Sequence, residues 1–207
     1  MADISVLIGG KAGDGISQAG QVTGSVFSSL GYHVYQYVDY PSLIRGGHNF
    51  CIIRAAEFPI TAFRSRFDVI IAFDQQTVGL HSDRLSDNGI IIYDSGRVKA
   101  EGQGSPLSQI ISMHQGLPVM GNTAMISALL RVLGIPWDLA EPVLRRKMPK
   151  STEKNLDIAH AAWNILTPKQ DLVVPGGGPR PFLSGNEWIA LGLLAGGLDA
   201  YICLLYT

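Results

Sequence analysis

Apolar residues follow two patterns in the first part of the chain: short uninterrupted runs and a longer stretch with three- and four-residue spacing. Residues 4–8 and 34–38 are runs of the first kind, and residues 16–30 follow the second pattern, with Gly31 after them. Short runs rich in β-branched residues predict buried strands, whereas the 3.6-residue period predicts an amphipathic helix. The chain therefore begins with a predicted strand, glycine turn, helix and strand, which is typical of a crossover in a parallel sheet.

The same patterns continue to about residue 165. Because strands that are apolar throughout must be covered on both faces, they predict an α/β fold, a three-layer α/β/α domain around an open, mainly parallel, Rossmann-like sheet. The further strands are predicted at 50–54, 69–73 and 89–93, and the further helices at 122–133, from Asp138 as a candidate N-cap, and at 151–165.

Composition changes after this region. Residues 167–183 contain the run Pro-Gly-Gly-Gly-Pro, which predicts a linker between a first domain at 1–166 and a segment at 184–207. That segment is apolar and helix-like, and its length suits the truncated start of a second domain. It approaches the length of a membrane span, but Asp199 and several glycines favour a core helix instead.

Charged residues make up only 16% of the chain and hydrophobic residues 46%. This composition excludes a disordered protein and suggests that a partner covers part of the surface. The net charge of −1 gives no sign of a nucleic-acid binder. Two cysteines far apart, with no C-x-x-C pair, predict no metal site and a reduced, cytoplasmic protein.

The turn after the first strand, at residues 9–15, is rich in glycine. Gly10, Gly13 and Gly15 would let the backbone approach a ligand, and the start of the following helix favours an anion such as a phosphate. The spacing departs from the dinucleotide fingerprint, because Gln18 stands where a third glycine is needed. A tight turn that only packs helix against strand remains the plain alternative, and the two interpretations are compatible.

A second loop, at residues 40–49, follows the second strand, at the edge where parallel sheets bind ligands. Arg45 could clamp an anion, and Gly46 and Gly47 make the segment a loop. His48 could donate a hydrogen bond to a ligand, act as an acid or base, or only form a hydrogen bond with the backbone. No catalytic residue can be assigned from spacing alone.

Three aspartates lie at the ends of predicted strands. Asp39 occupies the position of a ribose-binding acid, so it keeps a nicotinamide- or flavin-binding protein open as an alternative. Asp74 and Asp94 either cap helices or line the cleft.

Three segments together resemble a known family: residues 8–16, residues 40–48, and the strand ending at Asp74. They are similar to the gamma domain of 2-oxoacid:ferredoxin oxidoreductases. Residues 184–192 resemble the first helix of the alpha, or pyrimidine-binding, domain of the same enzymes. This order resembles the fused large subunit of the 2-oxoglutarate type. After that helix, residues 200–207 depart from the family's Tyr-Pro-Ile-Thr-Pro segment.

The resemblance implies part of an enzyme that converts a 2-oxoacid, coenzyme A and oxidised ferredoxin into acyl-CoA, carbon dioxide and reduced ferredoxin. It implies that thiamine diphosphate and a [4Fe–4S] cluster are held through a beta subunit, and that this chain alone holds no cofactor firmly and has no turnover. Coenzyme A is the expected ligand of Gly10, Gly13, Gly15 and residues 45–48. A homo- or hetero-oligomer is expected, with no membrane or nucleic acid as partner. A non-catalytic assembly module remains the alternative from another class.

Overall fold

The computed structural model describes residues 1–40, 47–148 and 152–200, so the predicted site residues Arg45 and Gly46 lie outside the described residues. Within these ranges the chain forms one six-stranded sheet with the order β2-β3-β1-β4-β5-β6. The strands are β1 (Asp3–Lys11), β2 (His33–Asp39), β3 (His48–Ala56), β4 (Phe67–Ala72), β5 (Leu85–Asp94) and β6 (Gln103–Ser105).

The sheet is mixed. β1 pairs in parallel with β4, β4 with β5, and β5 with β6, as expected for crossover connections. β3 runs antiparallel to both β1 and β2 and lies between them. The predicted crossover from β1 to β2 therefore spans an intervening strand, because β3 returns from β2 and inserts into the gap.

Seven α-helices accompany the sheet in the described part of the chain, and the predicted α/β fold is confirmed. Gly31 ends the first helix in the left-handed region, with a φ of 96°. The helices are α1 (Ile16–Ser29), α2 (Gln75–His81), α3 (Leu107–Met113), α4 (Gly121–Val132), α5 (Trp137–Lys147), α6 (Thr152–Ile165) and α7 (Gly185–Ala195).

The hydrophobic core lies mainly on one face of the sheet. Alternate β1 residues such as Val6 and Ile8 face a large cluster that includes residues of α1, α3, α4, α5 and α6. Leu7 points to the other face, into a smaller cluster against which Val78 of α2 packs. The fold thus has three layers, with a thick helical layer on one side and a thin one on the other.

Two sequence expectations about helix starts need correction or completion. Asp138 is not the N-cap of α5, because Pro136 holds that position with an extended φ and ψ, and Asp138 lies in the first turn. The start predicted for the last domain helix at residue 151 lies outside the described residues, and α6 is described from Thr152. The missed elements are α2, α3 and β6.

Residues 167–183, predicted as a linker, run along the domain and are called the strap below. Tyr32 donates its hydroxyl hydrogen to the carbonyl of Val173 at 2.6 Å. Arg180 donates its backbone amide to Ser28 at 2.9 Å and its Nε to Gly31 at 2.6 Å. A Pro- and Gly-rich segment is therefore fastened to the end of α1 rather than hanging free.

Helix α7 follows the strap and begins with a capping box. Ser184 accepts a hydrogen bond from the Glu187 amide, and the Glu187 carboxylate accepts one from the Ser184 amide. No residue of α7 is buried against the described part of the chain. Across the described ranges, no helix is both long and apolar enough to span a membrane.

Candidate functional site at the edge of the sheet

The glycine turn connects the end of β1 to the start of α1. Gly13 and Gly15 adopt left-handed backbone with φ of 100° and 74°, which favours glycine at both positions. Asp14 closes the turn, since its carboxylate accepts from the Lys11 amide at 2.9 Å and its own amide donates to the Lys11 carbonyl at 3.0 Å. The backbone of the turn is thus shaped by its own hydrogen bonds.

The first backbone amides of α1 are donors that the helix itself does not use. Ala19 donates the first helical hydrogen bond to the carbonyl of Gly15, so the amides of residues 16–18 have no acceptor within the helix. Gly15 is the N-cap and supplies no side-chain cap. Together with the helix dipole, these amides make the turn suitable for a negatively charged group.

Asn122 closes the other side of Gly15. A β-carbon built on Gly15 would lie 2.5 Å from Asn122 Nδ2, so only glycine fits beside this amide. Asn122 is 9% exposed, and its Nδ2 has no hydrogen-bond partner among the described residues.

The start of β3 lies beside the glycine turn. His48 pairs in register with Lys11, and Asn49 with Gly10. The amide of Ala12 also donates to the carbonyl of Gly47 at 3.4 Å. Gly47 itself has a φ of 88°.

Five of the predicted site residues therefore lie at one edge of the sheet: Gly10, Gly13, Gly15, Gly47 and His48. The geometry brings them together, while their role in binding a cofactor stays a prediction.

His48 has a partner that sequence reasoning missed. His81, the last residue of α2, places its Nε2 2.8 Å from Nε2 of His48. Phe50 contacts both rings, with centroid distances of 5.9 Å to His48 and 5.0 Å to His81. The sequence contained little sign of His81, because this residue ends a seven-residue helix that the pattern of apolar residues did not reveal.

The surroundings lower the pKa of both imidazoles. Burial, together with the smaller effects of the neighbouring His48 and Arg84, lowers the pKa of His81 to about 4. Burial also lowers the pKa of His48, although the carboxylates of Asp74 and Asp39 oppose that shift. The two rings are therefore mainly neutral near pH 7.

The three strand-end aspartates have hydrogen-bond partners in the described part of the chain. Asp74 caps α2 by accepting from the Thr77 amide at 2.9 Å and from its hydroxyl at 2.7 Å. Asp94 accepts from the Gly96 amide at 3.1 Å and from the Ser108 hydroxyl at 2.9 Å. Asp39 accepts from the Tyr37 hydroxyl at 3.0 Å.

Two grooves flank α1. One has a volume of about 630 Å³ and lies between α1, β2 and residues 181–188. The other, of about 400 Å³, lies between α1 and α4 and reaches Asn122 and Asn155. Gln18, Val22 and Lys147 line both, so a single ammonium group stands between them.

Metal binding has no obvious place in the described ranges. They hold no group of three or more His, Cys, Asp or Glu side chains arranged to bind a metal ion. Cys51 is a free, buried thiol whose pKa burial raises to about 12. Its Sγ lies 3.5 Å from the carbonyl oxygen of Ile16, to which it donates a weak hydrogen bond.

Curated relatives of the chain carry related names. The alpha subunit of 2-oxoacid:ferredoxin oxidoreductase 2 from Aeropyrum pernix is 25% identical, over 96% of this chain and 40% of its own length. The 2-oxoglutarate synthase subunit KorC of Archaeoglobus fulgidus is 27% identical, over 73% of this chain and 82% of its own. The chain thus spans about two fifths of the first relative and most of the second.

A solved structure has the same fold. The 2-oxoglutarate:ferredoxin oxidoreductase from Magnetococcus marinus, with 2-oxoglutarate, coenzyme A and succinyl-CoA bound, superposes with a TM-score of 0.79 at 22% identity. The match covers 96% of this chain and 38% of that one. At this identity the likeness is one of fold.

The model of one protein family matches residues 5–165, which include the glycine turn, the start of β3 and all six strands apart from the first two residues of β1. This range lies inside the domain predicted at 1–166, whose boundary with the strap remains a prediction. On this match the chain belongs to the pyruvate ferredoxin/flavodoxin oxidoreductase family.

Proposed function

We propose that the chain is part of an enzyme complex that oxidises a 2-oxoacid with coenzyme A and passes the electrons to ferredoxin. The reaction releases carbon dioxide, acyl-CoA and reduced ferredoxin. The proposal is supported by the family match over residues 5–165 and by relatives named as subunits of 2-oxoacid:ferredoxin oxidoreductases. The free, buried Cys51 suits the reducing compartment, the cytoplasm, that we propose for it.

The proposed substrate type is 2-oxoglutarate. Support comes from the name of the Archaeoglobus relative and from the Magnetococcus structure, which carries 2-oxoglutarate. A third relative, from Methanothermobacter thermautotrophicus, is named as a ketoisovalerate oxidoreductase subunit at 29% identity, so the family includes other substrates.

Within this complex the proposed ligand of the chain itself is coenzyme A. The observation that carries this proposal is the glycine turn, in which Lys11 and Ala12 lie beside His48 and Gly47 and which leads into the first amides of α1, left without an acceptor in the helix. Amides and a helix N-terminus suit a phosphate group. Arg45 and Gly46, in the same loop, complete the proposed set on sequence grounds.

Thiamine diphosphate and the [4Fe–4S] cluster are proposed to reside with a partner, the beta subunit. The described residues do not fit a cluster, because their free cysteine, Cys51, is buried in the core and no cluster-forming set surrounds it. The proposed task of this chain is to bind and orient a phosphorylated co-substrate.

Calorimetric titration of the 207-residue chain with coenzyme A tests the ligand. Gly13→Ala places a β-carbon in open space at the turn, and we expect it to weaken binding about tenfold or more. Gly178→Ala is the matched control, since Gly178 also has a positive φ and open space but lies in the strap. Equal affinity for both variants, or no binding by the unaltered chain, favours the assembly-module alternative.

A second experiment tests the complex. Purification of the chain from its source should also recover a partner that carries thiamine diphosphate and an iron–sulfur cluster. The complex should reduce a viologen dye with a 2-oxoacid and coenzyme A, faster with 2-oxoglutarate than with pyruvate. Reduction by the chain alone would contradict the proposed division of labour.

A further inference from the structure

His48 and His81 form a pair joined by one hydrogen bond. Their Nε2 atoms are 2.8 Å apart, so one ring must carry its proton there and the other must accept it. Two protonated Nε2 atoms would face each other at this distance with no acceptor between them. The geometry therefore allows the pair to be neutral or singly charged, but not doubly charged.

Packing holds both rings in place. Phe50 lies against each imidazole, and His81 is only 6% exposed. A β-carbon on Gly9 would lie 3.0 Å from Cε1 of His48 and 2.6 Å from Cγ2 of Thr77. The absence of a side chain at Gly9 thus makes room for His48 and Thr77 beside β1.

Charges around His48 favour a proton on this ring. Asp74 lies at the N-terminus of α2, and Asp39 lies at the end of β2. Both carboxylates stabilise a charged His48, against the cost of burial.

Charges around His81 favour the neutral form. Arg84 and a charged His48 both oppose a proton on this ring, and Asp83 alone favours it. The two rings therefore differ: His48 is the member that gains a charge, and His81 is the member that stays neutral.

The Nδ1 atoms of both rings are buried and have no hydrogen-bond partner among the described residues. His48 lies next to the glycine turn, since it pairs in register with Lys11. The ring itself lies on the α2 face of the sheet, opposite α1, so a negative group bound at the turn would act on it electrostatically across the end of the sheet.

We propose that His81 is a positioning residue for His48: it fixes the ring through the Nε2–Nε2 hydrogen bond and allows the pair to take up one proton when a phosphate-bearing ligand binds at the glycine turn. The proton comes from solvent, and no bond other than N–H forms. The ligand part rests on the proposed function. The pairing part concerns the free chain and stands separately.

Nuclear magnetic resonance titration of ¹⁵N-histidine-labelled chain tests the pairing without ligand. His81→Leu removes the hydrogen-bond partner, and we expect the apparent pKa of His48 to fall by about one unit. His81→Gln keeps a polar group at the Nε2 position and should restore His48 to within a few tenths of a unit. Identical His48 titrations in all three proteins would overturn the pairing, and the Gln variant decides the matter if the Leu variant does not fold.

Calorimetry with coenzyme A in two buffers of different ionisation enthalpy tests the proton uptake. The unaltered chain should take up a fraction of one proton on binding near pH 7, and His81→Leu should reduce that fraction by half or more. His81→Gln should retain it. His160→Gln, which alters an exposed histidine in α6, is the matched control and should change nothing.

The outcomes separate the two proposals. If the unaltered chain binds no coenzyme A, the proposed ligand is wrong, and the titration of the free chain still decides the pairing. If coenzyme A binds without proton uptake, or with uptake that His81→Leu leaves unchanged, the proton role of the pair is wrong while the proposed ligand stands.

Discussion

Helices α4 and α7 have similar sequences and opposite surroundings. Both begin with Gly-Asn and continue mostly with small or apolar residues. In α4 every residue except Arg131 is buried, whereas in α7 none is buried against the described part of the chain. An apolar helix sequence thus indicates that the helix needs a packing partner, but it does not identify that partner.

The difference lies in what each helix contacts. α4 packs between α1, α6 and the sheet, within the main core. α7 is positioned by its capping box and by the strap before it, and Trp188, Ile189 and Leu194 are half or more exposed. Apolar surface of this kind is typical of a site where another protein surface docks.

The largest expected effect contrasts one leucine from each helix. Leu129 in α4 is fully buried, so Leu129→Ala should lower the free energy of unfolding by about 2–5 kcal/mol. Leu194 in α7 is 67% exposed, and Leu194→Ala should change it by less than about 0.5 kcal/mol. Urea unfolding measures both, and similar losses would mean that α7 is packed after all.

The pH dependence of stability should come from the packed domain. The folded chain holds His81 neutral down to about pH 4, while the unfolded chain protonates it near pH 6.5. The free energy of unfolding should therefore fall as the pH is lowered from 6.5 to 4, by at most about 3 kcal/mol.

Urea unfolding at pH 7, 6 and 5 measures this fall. His81→Gln should remove the His81 part of it, and His160→Gln should leave it unchanged, since His160 is exposed. A pH dependence that His81→Gln does not alter would show that the ring is protonated in the folded chain.

The next largest effect on stability comes from comparing two glycines, one in the turn and one in α7. Gly15→Ala forces an L side chain into a φ of 74° and against Asn122, and should cost about 1–3 kcal/mol. Gly192 lies within α7 with open space around it, so Gly192→Ala should raise the helix content of α7 without a cost. Thermal unfolding and circular dichroism distinguish the two, and a harmless Gly15→Ala would show that the turn relaxes.

Two helix caps give the smallest effect. Asp74→Ala removes the cap of α2 inside the packed domain and should cost about 1–2 kcal/mol of global stability. Ser184→Ala removes the cap of α7, and should speed amide hydrogen exchange in α7 while global unfolding stays within error. A global loss in the Ser184 variant would mean that α7 folds as one unit with the domain.

Much of the architecture follows from the sequence because its elements carry strong local signals. The β-branched runs at β1 and β4, the apolar period of α1 and the stop at Gly31 each reflect backbone or burial requirements that act within a few residues. The order of these elements then favours an α/β fold.

Other elements depend on tertiary contacts. α2 and α3 have seven residues each, and β6 has three, so each is too short for a clear period. The direction of β3 depends on which strands it pairs with, since Cys51 and Ile53 face the core in either direction. These features could not be predicted from local pattern.

The residues of the candidate site also divide into those with a local sequence signal and those that depend on tertiary contacts. Gly10, Gly13 and Gly15 were found because a glycine turn between a strand and a helix is a local signal. His81 was missed because its partner, His48, is 33 residues away in sequence and joins it only when α2 packs against the sheet.

Helix α1 is attached to a different segment at each of its ends. At one end of this 14-residue helix lies the glycine turn, and at the other Ser28, Gly31 and Tyr32 hold the strap that leads to α7. A helix of this length is a stiff rod of about 21 Å. The strap that leads to α7 and the glycine turn are therefore attached to opposite ends of one helix.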